Sequence, residues 1–441
     1  MASKETLNPI QKFIQAESFS GILLFSAMIL ALLLSNSAIS TEFEGIWQYK
    51  FGIQTSNFSL VKPLILWIND GLMAVFFFLI GLEIKREILV GELNSFKKAS
   101  LPIFAAIGGM IIPLSVYLLL NQNPLTVNGW GISMATDIAF TLAILTLLGK
   151  GAPLSLKIFL TAFAIIDDIG AVLVIALFYT SQIAWSLLFY AALLLVVLYI
   201  LTFLKLYSKP VLFIFGIAIW VLFLKSGVHP TIAGIMLAFA VPIRQKMNEH
   251  KFAEKIKASI QKLTHATNTN PLPMLSHAQI EEIDHLEELT TKVQSPLQKL
   301  EHKLHYWVAF MIMPVFALSN AGIGFSSDME IDTTLALNLA LALFIGKTVG
   351  VTLFASLSVK LKWASLPESI TWLDIVGVAV LSGVGFTMAL FIGNLAFAGN
   401  EVFINSAKIG IISGSLISGV LGFIILKVSI VKKKALKTKS A

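Results

Sequence analysis

A chain of 441 residues that is 56% hydrophobic and only 13% charged, with a mean hydropathy of +0.84, is too apolar for a water-soluble domain. It contains no cysteine, which excludes disulfides, thiolate nucleophiles and Cys-bound metals. The net charge of +7 would suit nucleic acid as a partner, but its distribution points to a lipid bilayer and no nucleic-acid partner is expected.

Twelve apolar runs recur, at 18–35, 63–84, 98–120, 130–148, 155–179, 182–204, 209–224, 227–243, 304–323, 335–358, 372–395 and 405–427. Most are close to the ~20 residues that cross a bilayer core as a helix. The expected fold class is an all-α polytopic membrane protein with twelve transmembrane helices. Both chain ends then share one side, where 27 of the 32 Lys and Arg fall. The other side holds only Lys50, Lys62, Lys225 and Lys408, and Lys347 lies within a span. That bias puts both termini in the cytoplasm of a multi-pass inner-membrane protein.

Residues 1–17 form a polar cytoplasmic N-terminus with Lys4 and Lys12. The following run, ending in "SNSAIS", imitates a signal peptide, but the charge count favours its retention as the first of eight spans over 18–243. Residues 46–62 alternate polar and apolar around "TSN", which predicts an outer β-hairpin. An isolated hairpin is marginal in water, so pairing with a second copy, and hence a homodimer, is expected.

The fourth run, "GWGISMATDIAFTLAIL", crowds Gly129, Gly131, Ser133, Thr136 and Asp137 together. The eleventh, "VLSGVGFTMALFIG", carries Gly383, Gly385 and Thr387. Glycines and hydroxyls followed by renewed apolar sequence predict helices that break inside the membrane. Spans four and eleven run in opposite directions, as expected of an inverted repeat whose discontinuous helices cross at midplane. Asp137 is placed to neutralise positive half-helix N-termini and Lys347 negative C-termini.

The fifth run, "AFAIIDDIGAVLVIAL", sets Asp167 beside Asp168. With Asp137 and Lys347 these are the ionisable residues deep in spans, and unpaired they would cost on the order of 10 kcal/mol together. They must share a polar cavity or one another's charge. Neighbouring helix positions point 100° apart, so the two aspartates have different partners. One faces Lys347, and the other faces the cavity as a hard oxygen ligand for a cation.

The cytoplasmic insertion 244–303 separates these eight spans from four more over 304–427. Within it "NTNPLPM" (268–274) is a breaker-rich linker, and 278–293 is an amphipathic helix with Ile280, Ile283, Leu286 and Leu289 on one face. Six of the seven histidines fall between His250 and His305, compatible with pH sensing although solvated histidines commonly mean less. The seventh is His229. Residues 428–441 form a basic cytoplasmic tail suited to anionic lipid.

Through nearly its whole length the chain resembles the bacterial NhaA-type sodium/proton antiporters. The matching stretches are "WINDGLMAVFFFLIGLEIKREILVGEL", "MATDIAFTLAIL", "AIIDDIGAVLVIALFYT", "LKSGVHPTIAG", "SPLQKLEHKLH", "FALSNAG", "FIGKTVG" and "GVGFTMALFI". The resemblance implies that Asp168 is the principal Na+ ligand and Asp167 its proton-linked neighbour, paired with Lys347. It implies that Thr136 and Asp137 sit at the helix crossing. It assigns Asp70, Glu83, Glu87, His229 and Glu301 to ion funnels and pH response, together with Lys299, His302 and His305 in the segment that also holds Glu301. Dimerisation through an outer hairpin agrees with residues 46–62. The chain departs from the family pattern at Gln298 and Lys299, where two basic residues are common, and at Tyr306, where proline is usual. Its insertion is also longer.

The function implied is electrogenic, pH-regulated exchange of cytoplasmic Na+ or Li+ for external H+, without enzymatic chemistry or cofactor. The alternative is a sodium-coupled symporter of an organic anion, which Asn320 and Asn394 keep open. An intramembrane aspartyl protease is excluded by Phe386, which stands in "GVGF" where that chemistry needs an acid.

Overall fold

The computed structural model describes residues 9–440 apart from 57–58, 181, 205, 246, 267–274, 326–328 and 368. The predicted linker 268–274, the first eight residues and Ala441 lie outside the described residues. Helix α1 (Pro9–Ser35) leads into α2 (Ser40–Gln48), which bends away at 115°. The predicted outer hairpin follows as β1 (Lys50–Gln54) and β2 (Ser59–Pro63), antiparallel with Lys50 opposite Pro63 and Gln54 opposite Ser59.

Long apolar helices come next: α3 (Leu64–Val90, π-helical over Trp67–Leu72) and α4 (Phe96–Leu120). The fourth predicted span divides into a 3₁₀ segment (Pro124–Met134) and α5 (Ile138–Leu147), bent by 48°. Four helices without internal break follow: α6 (Leu154–Phe178), α7 (Trp185–Phe203), α8 (Lys209–Ser226) and the ten-residue α9 (Thr231–Ala240). Helices α10 (Glu249–Ala266) and α11 (His277–Val293) belong to the insertion. Then α12 runs as Pro296–Trp307, a π-helical Val308–Ile312 and Met313–Asn320. It is followed by α13 (Thr333–Lys360). The eleventh predicted span is broken into α14 (Trp372–Leu381) and α15 (Phe386–Ala396), bent by 43°. Last is the 40-residue α16 (Glu401–Ser440).

Among the described residues, seven helices are long and apolar enough to cross a membrane, or ten if each bent pair counts once. The expected run 227–243 contracts to α9, and 304–323 is interrupted by π turns. Both breaks predicted from glycine and hydroxyl clusters are present. The insertion differs from expectation in two ways. It contains a second helix, α10, packed against α11. The four-residue stripe on α11 also divides, with Leu289 buried and Leu286 half-buried against α10 while Ile280 and Ile283 remain exposed.

Helices α4 and α13 approach most closely where "GKTVG" (346–350) faces α4. A Cβ on Gly350 would stand 2.1 Å from the Gly108 carbonyl oxygen, and one on Gly346 would stand 2.6 Å from Pro113 Cα. Small residues four apart let membrane helices touch backbone to backbone, and Lys347 rides on that seam. Gly350→Val therefore forces the pair apart, an overpacking cost of about 1–3 kcal/mol or more. The expected result is a lower denaturation temperature and a weaker effect for Gly45→Val, where a Cβ meets nothing within 4 Å. Equal behaviour of the two variants would show that the seam is slack.

An aromatic cluster joins three of these helices. Phe391 on α15 meets Phe77 on α3 at 5.6 Å between ring centroids and Phe316 on α12 at 6.3 Å, all fully buried.

Candidate ion-binding site

The two broken spans meet through their extended linkers. Between the 3₁₀ segment and α5 the chain is extended over 135–137, and the Asp137 amide donates to the Val384 carbonyl at 2.7 Å. Thr136 Oγ1 donates to the Ser382 carbonyl at 3.0 Å. Gly385 is required by this approach, because a Cβ there would lie 2.6 Å from the Ala135 carbonyl oxygen. Non-helical backbone at this depth needs partners from protein, and the crossing chains supply them to each other.

Asp137 is the N-cap of α5, where its Oδ1 accepts the Phe140 amide at 3.1 Å. Its Oδ2 accepts both the Thr387 amide (3.1 Å) and Thr387 Oγ1 (2.5 Å) at the start of α15. One carboxylate thus serves two half-helix N-termini, as their dipoles favour. Lys347 does not neutralise the half-helix C-termini. Among the described residues its Nζ donates to Asp167 Oδ2 at 2.7 Å and to Thr136 Oγ1 at 2.9 Å, and to no backbone carbonyl. All of Asp137, Asp167 and Lys347 are buried.

Asp168 lies one residue on, turned toward a cavity of about 70 Å³ that Thr136, Asp137, Thr387, Glu83 and His305 also line. That volume exceeds the ~10–15 Å³ one water needs. Asp168 makes no side-chain hydrogen bond among the described residues, and Asp167 Oδ1 is likewise without a partner. The electrostatic neighbours of Asp168 are three acids, Asp167, Glu83 and Asp137, against one cation, Lys347. A surplus of buried carboxyl groups around a small cavity favours a small cation or a proton. The described residues contain no group of three His, Asp or Glu side chains arranged to hold a metal. A cation beside Asp168 would therefore complete its shell with hydroxyls, carbonyls or water.

Gly131 and Ser133 lie in the 3₁₀ segment but not at the crossing. Ser133 donates to the Trp130 carbonyl (2.8 Å), and Gly131 abuts Tyr179. The residues assigned to pH response divide into separate groups. Glu83 joins the Asp168 cavity. Glu87 and Glu301 converge on Arg86, at 3.1 Å and 3.0 Å. Asp70 pairs instead with Lys62 of β2 at 2.8 Å and stands 3.6 Å from His229. His305 is buried on the cavity wall, while His302 packs edge-on against Tyr306 and Lys299 turns away to Thr291 Oγ1. Outside the spans, burial pushes the Glu301 carboxyl above its ordinary range, against the pull of Arg86 and His305.

Sequence reasoning passed over Arg86, although "EIKRE" places it beside Glu87. It also passed over the carbonyls of Ser382 and Val384, which no side-chain pattern reveals. The two asparagines that kept organic-anion symport open are consumed structurally. Asn69, Asn320 and Asn394 bond one another at 2.6–3.1 Å, so they offer no open amide set for sodium.

Broken membrane helices that meet through their linkers, with charged residues buried at the intersection, are the architecture of secondary transporters. A family model described as Na+/H+ antiporter 1 matches residues 11–426. The chain is 44% identical over 424 residues to a protein named Na(+)/H(+) antiporter NhaA from Oleidesulfovibrio alaskensis, covering 96% of this chain and 94% of that one. A protein of the same name from Bacteroides thetaiotaomicron is 42% identical over 436 residues, covering 97% and 99%. The chain belongs to the Na+/H+ antiporter 1 family.

Proposed function

We propose that the protein is a secondary antiporter that moves Na+ or Li+ out of the cytoplasm in exchange for external protons. The observation that carries this reading is Asp168, a buried carboxyl without a hydrogen-bond partner among the described residues, on a cavity beside the Asp167–Lys347 pair. A cation and a proton compete for the same carboxylates, so loading one ejects the other. Asp168 acts as principal ligand, while Asp167 exchanges Lys347 for a proton. With two titrating acids per monovalent ion, more than one proton moves per sodium and transport is electrogenic.

The topology that goes with it has twelve spans, both termini in the cytoplasm of the inner membrane, and 244–303 as a cytoplasmic loop. The division is 1–17, 18–243, 244–303, 304–427 and 428–441. A homodimer through the hairpin fits the exposure of Phe51 and Ile53 on β1, since an unpaired two-stranded sheet is marginal. The test of the function is to reconstitute the protein in acid-inside liposomes with a pH dye. External Na+ or Li+ should dissipate the gradient faster than K+, and a response to none of them across pH 6–9 would overturn the reading.

Regulation by pH centres on Arg86, Glu87 and Glu301, with His305 also interacting with Glu301. Because burial raises the Glu301 carboxyl, it takes up its proton at a higher pH than an ordinary carboxylate as the cytoplasm acidifies, and then releases Arg86. Glu301→Gln fixes the released state at every pH. Its activation profile is expected to shift to more alkaline pH and lose steepness; an unchanged profile would remove Glu301 from regulation.

A further inference from the structure

Another cavity, of about 650 Å³, opens between the end of α3, residues 243–245 and 247–249, and the start of α12. None of the residues that bind the transported ion lines it. We propose that it binds a phosphate group, carried either by a soluble phosphate ester or by an anionic phospholipid at the membrane edge. The proposal stands independently of the antiport reading.

Three observations converge. Ser295 occupies the N-cap position of α12 yet caps nothing. It is 3% exposed, lines the cavity, and its Oγ has no hydrogen-bond partner among the described residues. A buried hydroxyl left in that state normally marks a missing partner. Second, the start of α12 adds the positive end of a helix. Pro296 has no amide to offer there, and the Leu297 amide is taken by the Pro242 carbonyl at 3.2 Å. The Ser295 hydroxyl is therefore the natural donor at this end, backed by the helix dipole. Third, two arginines line the wall. Arg244 is exposed and makes no ion pair among the described residues, while Arg86 engages Glu87 and Glu301 with only part of its five-donor fork.

Two arginines and a hydroxyl backed by a helix dipole form a set suited to a tetrahedral oxyanion, which arginine binds bidentately. A cation is opposed by both arginines, with Glu249 the single carboxylate on the wall among the described residues. Leu89 and Val90 continue the cavity as an exposed apolar rim, which could take the upper part of an acyl chain. An anion here would contact Arg86 and so reach the Glu87–Glu301 cluster.

The test uses the full-length protein in detergent with two probes, inorganic phosphate by titration calorimetry and phosphatidylglycerol against phosphatidylcholine by native mass spectrometry. Two variants accompany the wild type. Ser295→Asp keeps a residue suited to the N-cap but puts negative charge in the cavity. Arg244→Gln alters an exposed side chain and should leave folding intact. The expected result is saturable binding of at least one anionic probe by the wild type, weakened tenfold or more in both variants. Phosphate binding identifies a soluble ligand, and selective retention of phosphatidylglycerol identifies a lipid headgroup. Binding of neither probe, or binding equal in wild type and variants, overturns the proposal.

Discussion

Asp168→Asn is expected to abolish sodium-dependent proton movement while leaving the protein folded. The substitution preserves shape but removes the negative charge and the titrating oxygen. A ligand of that kind is worth about 3 kcal/mol, which at about 1.4 kcal/mol per tenfold is on the order of a hundredfold in sodium affinity. Proton exchange at that position disappears outright. Folding should survive, because Asp168 holds no helix in place through a hydrogen bond, unlike Asp137 with three bonds to two half-helices. In acid-inside liposomes the dye signal should stay flat after sodium addition even at saturating concentrations, with thermal stability near wild type. A variant that still dissipates the gradient would move the ion to another carboxylate, with Glu83 and Asp137 on the same cavity wall as the candidates.

The second large effect concerns stability. Lys347→Met removes the cation from a fully buried pair and leaves Asp167 with neither Nζ nor a second partner at Oδ1. Breaking one side of a buried pair costs about 3–5 kcal/mol, whereas removing both charges together can be nearly neutral. Lys347→Met should therefore lower the denaturation temperature markedly, and adding Asp167→Asn should recover much of the loss. The double variant should still fail to exchange protons normally, separating a structural role for the pair from its role in transport. If the two single losses simply added, the pair would not be coupled and the 2.7 Å bond would have little energetic meaning.

The site was legible where chemistry is written in side chains. Three acids and a lysine in apolar runs announced a polar cavity, and glycines beside hydroxyls announced both helix breaks. The angle between successive helix positions separated Asp167 from Asp168, and the structure turns the first to Lys347 and the second to the cavity. Backbone was not legible: nothing in "VLSGVGF" shows that the Ser382 and Val384 carbonyls receive Thr136 and the Asp137 amide. Long-range partners were hidden for the same reason. Beyond its pair with Asp167, Lys347 reaches Thr136 rather than helix ends, and Asn320 is spent on Asn69 and Asn394. In the insertion, hydrophobic periodicity identified a helix over 278–293 but not which half of its stripe a second helix would cover. The cluster of Asp374, Thr371, Ser429 and Lys433 around the buried Asp374 was also missed, because 55 and 59 residues separate Asp374 from its partners Ser429 and Lys433 on α16.

That last cluster changes what the end of the chain can do. A continuous helix of 40 residues is roughly 60 Å long at about 1.5 Å per residue, twice the thickness of the hydrocarbon layer. Helix α16 cannot be wholly submerged unless it tilts steeply, and Lys433 fastens its far end to the first turn of α14. The C-terminal segment is thus a rigid outrigger clamped to one half of a broken helix. A fluorophore placed near its tip would travel with α14, making this strut a natural lever for watching the crossing move in real time.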